Sequence, residues 1–233
     1  MHDLISSPSF FIMISLIAFE IACYINKKIK IAILNPLLVS IIFLIAFLKL
    51  FNISVNEYNT GGQFITFLLA PATVVLAVPL YKKIKLFKAN AIPIFVGISL
   101  GTVGGITSVI LLCNLLGISK QISLSMIPKS ITTPIGMDVS KQIGGIPSIT
   151  VAAIIITGIT GAVIGPTIFN IFHIKDRVAK GIALGCSSHA VGTSKAIEMG
   201  EVEGAMSSLA IGLTGLITVI LAPILTKIFN SLI

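Results

Sequence analysis

Two short polar stretches interrupt an otherwise apolar sequence, and their residue types suit the binding of a small anion. The first is KSITTPIGM, residues 129–137, and the second is SSHAVGTSKAIE, residues 187–198. Both are rich in small and hydroxyl residues, and each contains a lysine. Hydroxyl groups, an ammonium group and the free backbone N–H groups of a helix start all stabilise negative charge. These stretches are therefore the first candidates for a binding site.

The first stretch predicts a helix that begins in the middle of an apolar region. We expect Thr133 as the N-cap and Pro134 as the first helical residue, where its missing N–H costs nothing. Lys129, Ser130 and Thr132 lie just before this start. Together with the free N–H groups, they are predicted to form one half of an anion site. The alternative for Lys129 is a side chain that reaches back to the polar boundary of the apolar region.

The second stretch predicts a similar helix start, with Gly192 making the turn and Thr193 capping the helix. Ser188, His189 and Ser194 complete the predicted second half of the site. Imidazole changes charge near physiological pH, so His189 could bond the ligand or carry a coupling proton. The alternative is a packed histidine with satisfied hydrogen bonds. Each hydroxyl could instead bond a backbone carbonyl or a neighbouring helix.

Four charged residues lie in or just after the second stretch. A ligand role and an interface role fit Lys195 equally. Glu198 is a candidate ion-pair partner for a lysine, whereas Glu201 and Glu203 are expected on a solvated face.

Other chemistries fit the sequence poorly. There is no G-x-S-x-G motif and no clear acidic partner for His189, which argues against a serine hydrolase. The three histidines are scattered and form no H-E-x-x-H motif, so no metal site is expected. The glycine-rich stretch GISLGTVGG, residues 97–105, is interpreted as a helix-packing surface rather than a phosphate loop. We therefore expect neither an enzyme nor a bound cofactor.

The elements that must position these stretches are membrane helices. The sequence is 55% hydrophobic and only 10% charged, whereas soluble domains carry about 25% charged residues. The net charge is +8, and ten of the 16 basic residues fall in three clusters, at 27–30, 82–88 and 175–180. Each cluster follows an apolar run, which is the positive-inside pattern of cytoplasmic loops and not a nucleic-acid surface.

Apolar runs predict an all-α integral membrane protein with about six full spans. The segments 120–146 and 177–202 hold too many glycine, proline and polar residues for a clean span, so each is predicted to be a broken or re-entrant helix. A polar loop is expected over 52–62. With the basic clusters inside, both termini lie outside. The predicted spans are about 8–26, 31–51, 62–81, 90–117, 147–172 and 204–230.

The two broken segments belong to an internal repeat. GGIPSIT at 144–150 resembles EGAMSSL at 203–209, and GITG at 158–161 resembles GLTG at 212–215. Each unit is a broken segment followed by one clean span, and the two units have opposite orientations. Inverted repeats with broken helices are typical of transporters. We predict a scaffold-like domain over 1–118 and an elevator-like transport unit over 119–233.

At these motifs the sequence resembles the LrgB/CidB family of bacterial membrane proteins, often called antiholin-like. The resemblance implies effects on murein hydrolase activity and lysis for some members, and transport of small carboxylates such as pyruvate for others. A related chloroplast protein carries glycolate and glycerate. A second small membrane protein of the LrgA/CidA type is the implied partner. The motifs that carry the resemblance lie at 128–137, 144–150, 157–165, 181–198 and 203–210.

Together these observations favour a secondary transporter of small monocarboxylates, with the carboxylate bound by the two opposed helix starts. We expect a multi-pass protein of the bacterial plasma membrane, a homo-oligomer that works with an LrgA/CidA-type partner and binds no nucleic acid. The alternative is an antiholin-like regulator of murein hydrolase activity and autolysis that carries no solute. A pore is a third interpretation.

Overall fold

The computed structural model of the chain describes residues 7–29, 36–68, 71, 74–75 and 77–229. Within these residues every regular element is a helix, and no strand occurs. The all-α fold class predicted from the sequence is confirmed. The chain forms two compact units, Met1–Val75 and Leu76–Ile233, which are described separately below.

The first unit contains α1 (Pro8–Ile29), α2 (Pro36–Leu50) and α3 (Val55–Phe67). α1 packs against both other helices. Its Ser15 hydroxyl lies 2.8 Å from the Tyr58 hydroxyl of α3. This hydrogen bond is a polar contact between α1 and α3.

A capping box starts α3. The Ser54 hydroxyl accepts a hydrogen bond from the Glu57 N–H at 3.2 Å, and the Glu57 carboxylate accepts one from the Ser54 N–H at 2.7 Å. The loop expected over 52–62 is therefore wrong from Val55 onward. Its Ser-x-x-Glu spacing is a helix-start signal, because the two side chains satisfy N–H groups that the first turn leaves free.

The second unit contains eight helices among its described residues. Four of them have more than 20 residues, two short ones hold most of the basic cluster at 82–88, and the polar stretches lie mainly in α8 and α10. In chain order they are α4 (Ala77–Lys82), α5 (Ile84–Ala89), α6 (Ala91–Leu115), α7 (Lys120–Met126), α8 (Thr133–Ile143), α9 (Pro147–Ile171), α10 (Arg177–Met199) and α11 (Glu201–Ile228).

Among the described residues, four helices are long and apolar enough to cross a membrane: α1, α6, α9 and α11. They coincide with four of the predicted spans. The second predicted span corresponds to α2, which has 15 residues. The third, about 62–81, falls partly outside the described residues and otherwise on parts of α3 and α4. The chain is thus a membrane protein whose described residues form four helices of spanning length, and the total of six spans stays a prediction.

The first predicted interruption is present. Residues 120–146 form α7 and α8, which are separated by a turn at 127–130 and an extended residue, Thr132. Thr132, with φ −65° and ψ 146°, occupies the N-cap position, so α8 begins one residue earlier than expected. Thr133 is helical and Pro134 lies in the first turn. α8 ends at Gly144, whose φ of 88° is a left-handed conformation that glycine adopts without strain.

Buried hydroxyls hold this broken segment against α9. The Thr150 hydroxyl lies 2.7 Å from the Ser140 hydroxyl and 2.8 Å from the Ser125 carbonyl. The Ser125 hydroxyl accepts from the Ile146 N–H at 2.7 Å. Polar groups buried among apolar helices are stable only when paired in this way. The network fixes the path by which α8 returns toward the start of α9.

The second predicted interruption is also present, at a different residue. α10 consists of two helical segments joined at His189, whose φ of 43° and ψ of −135° are not helical. The helix start expected at Gly192 and Thr193 is wrong, because both residues lie inside the second segment. The values at His189 resemble the first central position of a type II′ turn, a conformation that normally selects glycine.

α10 lies very close to α11. A side chain at Gly181 would run into the backbone of Glu203, and one at Gly185 would run into the backbone of Ser207. Small residues at such contacts let two helix backbones approach each other. The first segment of α10 is therefore held tightly against α11.

α6 belongs to the same compact unit as α7 to α11 and packs against both α10 and α11. The predicted boundary at 118/119 divides a scaffold from a moving unit, whereas the observed boundary at 75/76 divides two compact units. The boundary at 118/119 therefore stays a prediction. The predicted inverted repeat also stays a prediction. In each proposed repeat unit, a broken segment precedes a long helix with an internal proline, Pro166 in α9 and Pro223 in α11.

Candidate functional site

A cavity of about 620 Å³ lies inside the second unit. Its walls come from α6, the turn after α7, the first segment of α10 and the middle of α11. Most of the lining is apolar. The polar residues in the lining are Asn90, Thr102, Lys129, Ser130, Asp176, Ser187, Thr214 and Thr218. The Asp176 carboxylate among them accepts the Ala179 N–H as the N-cap of α10. The cavity thus receives side chains from both polar stretches that the sequence singles out.

A second cavity, of about 590 Å³, lies between α9 and the first segment of α10. Thr157 and Thr160 line it from α9, and Ser187 and Ser188 line it from α10. Lys129 lines both cavities. The side chain of Lys129 and that of Ser187 therefore lie where the two spaces come together.

Lys129 is half-buried and lies in the turn between α7 and α8. Its ammonium group is 3.4 Å from the Ser130 hydroxyl. Within the described residues, no carboxylate forms an ion pair with it. A lysine among apolar helices without a counter-ion is costly, and such residues commonly belong to functional sites. Lys129 and Ser130 are thus placed as the sequence predicts, although their binding role stays a prediction.

The start of α8 lies beside the cavity and not on its wall. Thr132, Thr133 and Pro134 line neither cavity. The Thr132 side chain makes no capping hydrogen bond to α8, so the first N–H groups of this helix keep their capacity to bind. The structure brings the turn before the helix, rather than the helix start itself, to the cavity.

Ser187 and Ser188 lie in the last turn before the break in α10. Their hydroxyls are 2.9 Å apart, and the Ser187 hydroxyl also donates to the Ala183 carbonyl at 2.7 Å. Ser188 lines the second cavity, whereas Ser187 lines both. Of the predicted second half of the site, Ser188 therefore lies at a cavity wall, with Ser187 beside it.

His189 is buried at the break itself. Its ring Nε2 lies 2.9 Å from the Ile154 carbonyl oxygen of α9, so this nitrogen carries a proton and donates. The ring fills the space left by Gly158, where a side-chain carbon would lie only 2.6 Å from the ring. His189 lines neither cavity. Its observed contact ties α10 to α9, and its predicted coupling of protons stays a prediction.

Gly192, Thr193 and Ser194 lie in the second segment of α10, and none of them lines either cavity. The buried Thr193 hydroxyl is 3.0 Å from the His189 carbonyl and 2.7 Å from the Ser207 hydroxyl of α11. Ser194 is exposed and donates to the Ala190 carbonyl at 3.2 Å. The structure therefore gives these residues packing and hydrogen-bonding roles around the break.

Comparison with known proteins places this architecture in a family. The family model described as the LrgB-like family matches residues 15–228. The chain belongs to the LrgB-like family. Among its relatives are proteins named "Antiholin-like protein LrgB" from Bacillus mycoides (strain KBAB4), Bacillus cereus (strain B4264) and Bacillus anthracis (strain CDC 684 / NRRL 3495). Each is 38% identical over 218 residues, covering 93% of this chain and 95% of the relative. No solved structure matches the chain.

In this LrgB-family chain, the charged residues near the second stretch are paired. Lys195 lies 2.8 Å from Glu198, which is the pairing considered from the sequence. Glu201 is exposed and lies 3.1 Å from Lys83. The solvated position expected for Glu203 is wrong, because Glu203 is buried in the first turn of α11, with Arg177 Nε 4.0 Å from its carboxylate. The close approach of α10 to α11 covers this side chain.

The glycines of α6 differ in how closely they approach another described helix: a side-chain carbon at Gly101 would lie 3.2 Å from the Cys186 sulfur of α10. A side-chain carbon at Gly97, Gly104 or Gly105 would meet no atom within 4 Å. Instead Gly97, Gly101 and Gly105 line the larger cavity. The helix-packing interpretation of this stretch therefore fits Gly101, whereas Gly97, Gly104 and Gly105 have open space around them among the described residues. A spacing of four residues places these three glycines on one helix face, which is the signal that could have indicated a shared surface.

Sequence reasoning also missed three threonines in the cavity wall: Thr102, Thr214 and Thr218. Threonine is common in membrane helices, where it often bonds its own backbone, so its presence alone carries little information. The spacing of Thr214 and Thr218 places both on one face of α11. That spacing, inside a run without other polar residues nearby, was the available signal.

The arrangement can bind a small anion. A half-buried ammonium group and several hydroxyls share one largely apolar cavity, and charge interactions are stronger in such surroundings than in water. Within the described residues, no three His, Cys, Asp or Glu side chains are grouped as metal ligands.

Proposed function

We propose that this chain is a secondary transporter of small monocarboxylates, of the 2-oxo or 2-hydroxy acid type. The observation that carries the proposal is the cavity of about 620 Å³ with Lys129 on its wall, between the two broken helical segments. A carboxylate is the charge complement that this lysine lacks among the described residues. Hydroxyl groups around the same space suit the further oxygen atoms of such acids.

The broken segments support a carrier rather than a static binding protein. Irregular backbone at membrane depth is tolerated where it lines a cavity or is buried in protein, and transporters use it to build substrate sites. Here the turn at 127–130 and the last turn before His189 both contribute cavity residues. We propose that the unit over 119–233 changes position relative to the remaining helices during transport, as in elevator-like carriers.

The names of the relatives support a second candidate function. They are called antiholin-like, which suggests a membrane regulator of murein hydrolase activity and autolysis that carries no solute. In that case the cavities would be incidental to function, and changes of cavity residues would leave lysis phenotypes intact. Lys129 favours the carrier, since a half-buried lysine without a carboxylate partner among the described residues suits an anionic substrate better than a purely structural role.

The proposed assembly follows from the resemblance to the LrgB/CidB family. The chain would work as a homo-oligomer in the bacterial plasma membrane, together with a small membrane protein of the LrgA/CidA type. Purified chain, reconstituted with and without that partner, tests whether the partner is needed for flux.

The deciding experiment is counterflow of radiolabelled pyruvate, and then glycolate, into proteoliposomes. We expect saturable exchange that falls at least about tenfold in Lys129→Gln, because a hydrogen bond between charged groups is lost. Lys195→Gln is the matched control, since Lys195 pairs with Glu198 away from both cavities. Its exchange should stay within about twofold of the unchanged protein.

Two outcomes would overturn the proposal. Absence of exchange for both acids in folded protein, with and without the partner, favours the regulator. Exchange that does not saturate and shows no counterflow indicates a pore.

A further inference from the structure

Two buried hydroxyls lack a hydrogen-bond partner among the described residues, those of Ser123 and Thr214. Some other buried hydroxyls in the second unit are paired, for example Thr150 with Ser140 and Thr193 with Ser207. An unpaired buried hydroxyl is destabilising, so each such group calls for an explanation. The two exceptions differ in one respect: Thr214 lines the larger cavity, whereas Ser123 lines neither of the two cavities described above.

Thr214 lies on α11 with only 1% of its surface exposed. Thr218, one turn further along the same helix face, also lines the cavity, and no hydrogen bond of its side chain is found within the described residues. Thr102, on the facing helix α6, behaves differently, because its hydroxyl donates to the Ile98 carbonyl at 2.8 Å. The α11 wall therefore carries two hydroxyls, those of Thr214 and Thr218, that have no hydrogen-bond partner among the described residues.

The wall contributed by α6 leaves room for a ligand. Gly97 and Gly105 have no atom within 4 Å of the position that a side-chain carbon would take. The cavity thus offers a charged group at Lys129, unpaired hydroxyls on α11, and an α6 wall in which three glycines contribute no side chain. A ligand with a carboxylate at one end and one further oxygen would use the first two features.

We infer that Thr214, assisted by Thr218, binds the oxygen on carbon 2 of the substrate and so selects 2-oxo and 2-hydroxy acids over unsubstituted acids of equal length. This inference rests on the proposed function, in which Lys129 binds the carboxylate. A hydroxyl both donates and accepts, so it pairs with a keto oxygen and with a hydroxyl group alike. An acid without that oxygen leaves Thr214 unpaired, and sites built to bond a polar group discriminate strongly against analogues that lack it.

The test measures binding without requiring transport. Cys186 lines the same cavity and is partly exposed, so its alkylation by N-ethylmaleimide, followed peptide by peptide with mass spectrometry, reports occupancy. Pyruvate is compared with propionate, and glycolate with acetate. In the unchanged protein, we expect the substituted acid of each pair to protect Cys186 at a concentration at least about tenfold lower than its analogue.

Thr214→Val removes the hydroxyl and keeps the shape, and it is expected to reduce that preference to about twofold or less. Ser123→Ala is the matched control: it removes the other unpaired buried hydroxyl and should keep the preference. Thr214→Ser keeps the hydroxyl and should keep the preference as well. If Thr214→Val does not fold, Thr218→Val provides an independent test. It should weaken the preference for the substituted acids.

Each outcome supports or overturns either the inference about Thr214 or the proposed carrier function. A Thr214→Val protein that keeps the preference overturns the inference, and so does saturable counterflow without any protection of Cys186. In both cases the carrier function stands. The expected protection pattern without counterflow supports the binding role of Thr214 and overturns the carrier. Neither protection nor counterflow in folded protein overturns both.

Discussion

His189 combines a non-helical backbone conformation with a side-chain hydrogen bond to a neighbouring helix. Its φ of 43° and ψ of −135° belong to a region that glycine occupies more readily than any other residue. Its ring is buried and donates to the Ile154 carbonyl. The ring contact with α9 therefore stabilises a backbone conformation that histidine would otherwise avoid, and the position of the break in α10 depends on that contact.

This balance predicts an unusual order of stability among His189 variants. His189→Ala loses the ring and its hydrogen bond and should cost about 2–4 kcal/mol. His189→Gly loses the same contacts but relieves the backbone, so it should be more stable than His189→Ala by about 1–2 kcal/mol. In a regular helix the order is the reverse, since glycine is the poorer helix former.

Reversible unfolding in mixed detergent micelles measures these differences. Ser194→Ala is the control on the same helix, because this exposed serine only bonds its own backbone, and it should change stability by less than about 0.5 kcal/mol. Equal or lower stability of the glycine variant would show that the break at His189 carries no backbone strain.

At the residue scale, the sequence predicts some features better than others. The turn containing Lys129 and Ser130 was predicted because Pro134 and the neighbouring threonines are local signals of a helix start. The break at His189 was misplaced, because histidine has no intrinsic preference for that conformation and a distant carbonyl determines it. The unpaired hydroxyl of Thr214 was not predictable, since pairing depends on which side chains other helices bring near.

Glycine has two opposite uses among the helices of the second unit. On α10, Gly181 and Gly185 allow contact with the backbone of α11. On α6, Gly97 and Gly105 face open space and the cavity. Sequence alone predicts close packing for both sets, because glycine in a membrane helix usually has that role. Which use applies depends on the neighbours of each helix face.

The cavity face of α6 makes a prediction at the scale of the helix. Gly105→Leu adds a side chain at the cavity wall, where its first carbon would meet no described atom within 4 Å, and leucine favours the helix over glycine. We expect stable protein whose counterflow of the larger acids falls at least about tenfold, because the space for substrate is reduced. Competition by acids of increasing chain length in proteoliposomes measures the effect.

Gly104→Leu is the matched control. This glycine is the chain neighbour of Gly105, also has open space around it, and lines neither cavity. Its size preference should equal that of the unchanged protein. A Gly105→Leu protein with the same preference would place the substrate elsewhere.

The sequence predicts helices and breaks correctly where local residue composition determines them. Long apolar runs produced α1, α6, α9 and α11, and Pro and Gly punctuation produced the broken segment at 120–146. The sequence predicts a loop at the start of α3, because this segment holds polar residues and two glycines. Its capping box is the local signal that indicates a helix instead. The burial of Glu203 depends on the approach of α10 and had no local signal.

For the whole molecule, the uneven distribution of basic residues predicts its orientation. The clusters at 27–30, 82–88 and 175–180 should face the cytoplasm, and the region near Gly117 should lie outside. A reporter that is active only outside the membrane should be inactive when fused after Lys88 and active when fused after Gly117. Activity after Lys88, or inactivity after Gly117, would contradict this topology.

The tight contact between α10 and α11 has a mechanical consequence. At Gly181 and Gly185 the two backbones touch, and the Thr193–Ser207 hydrogen bond joins them again beyond the break. These two helices therefore behave as one stiff body, and a movement that widens the cavity cannot begin by separating them. α6 packs against both helices, but its positions Gly97 and Gly105 leave open space toward the cavity, so α6 is the wall expected to move relative to them. A cross-link between α10 and α11 would leave the motion intact, whereas one from α6 to α10 would arrest it.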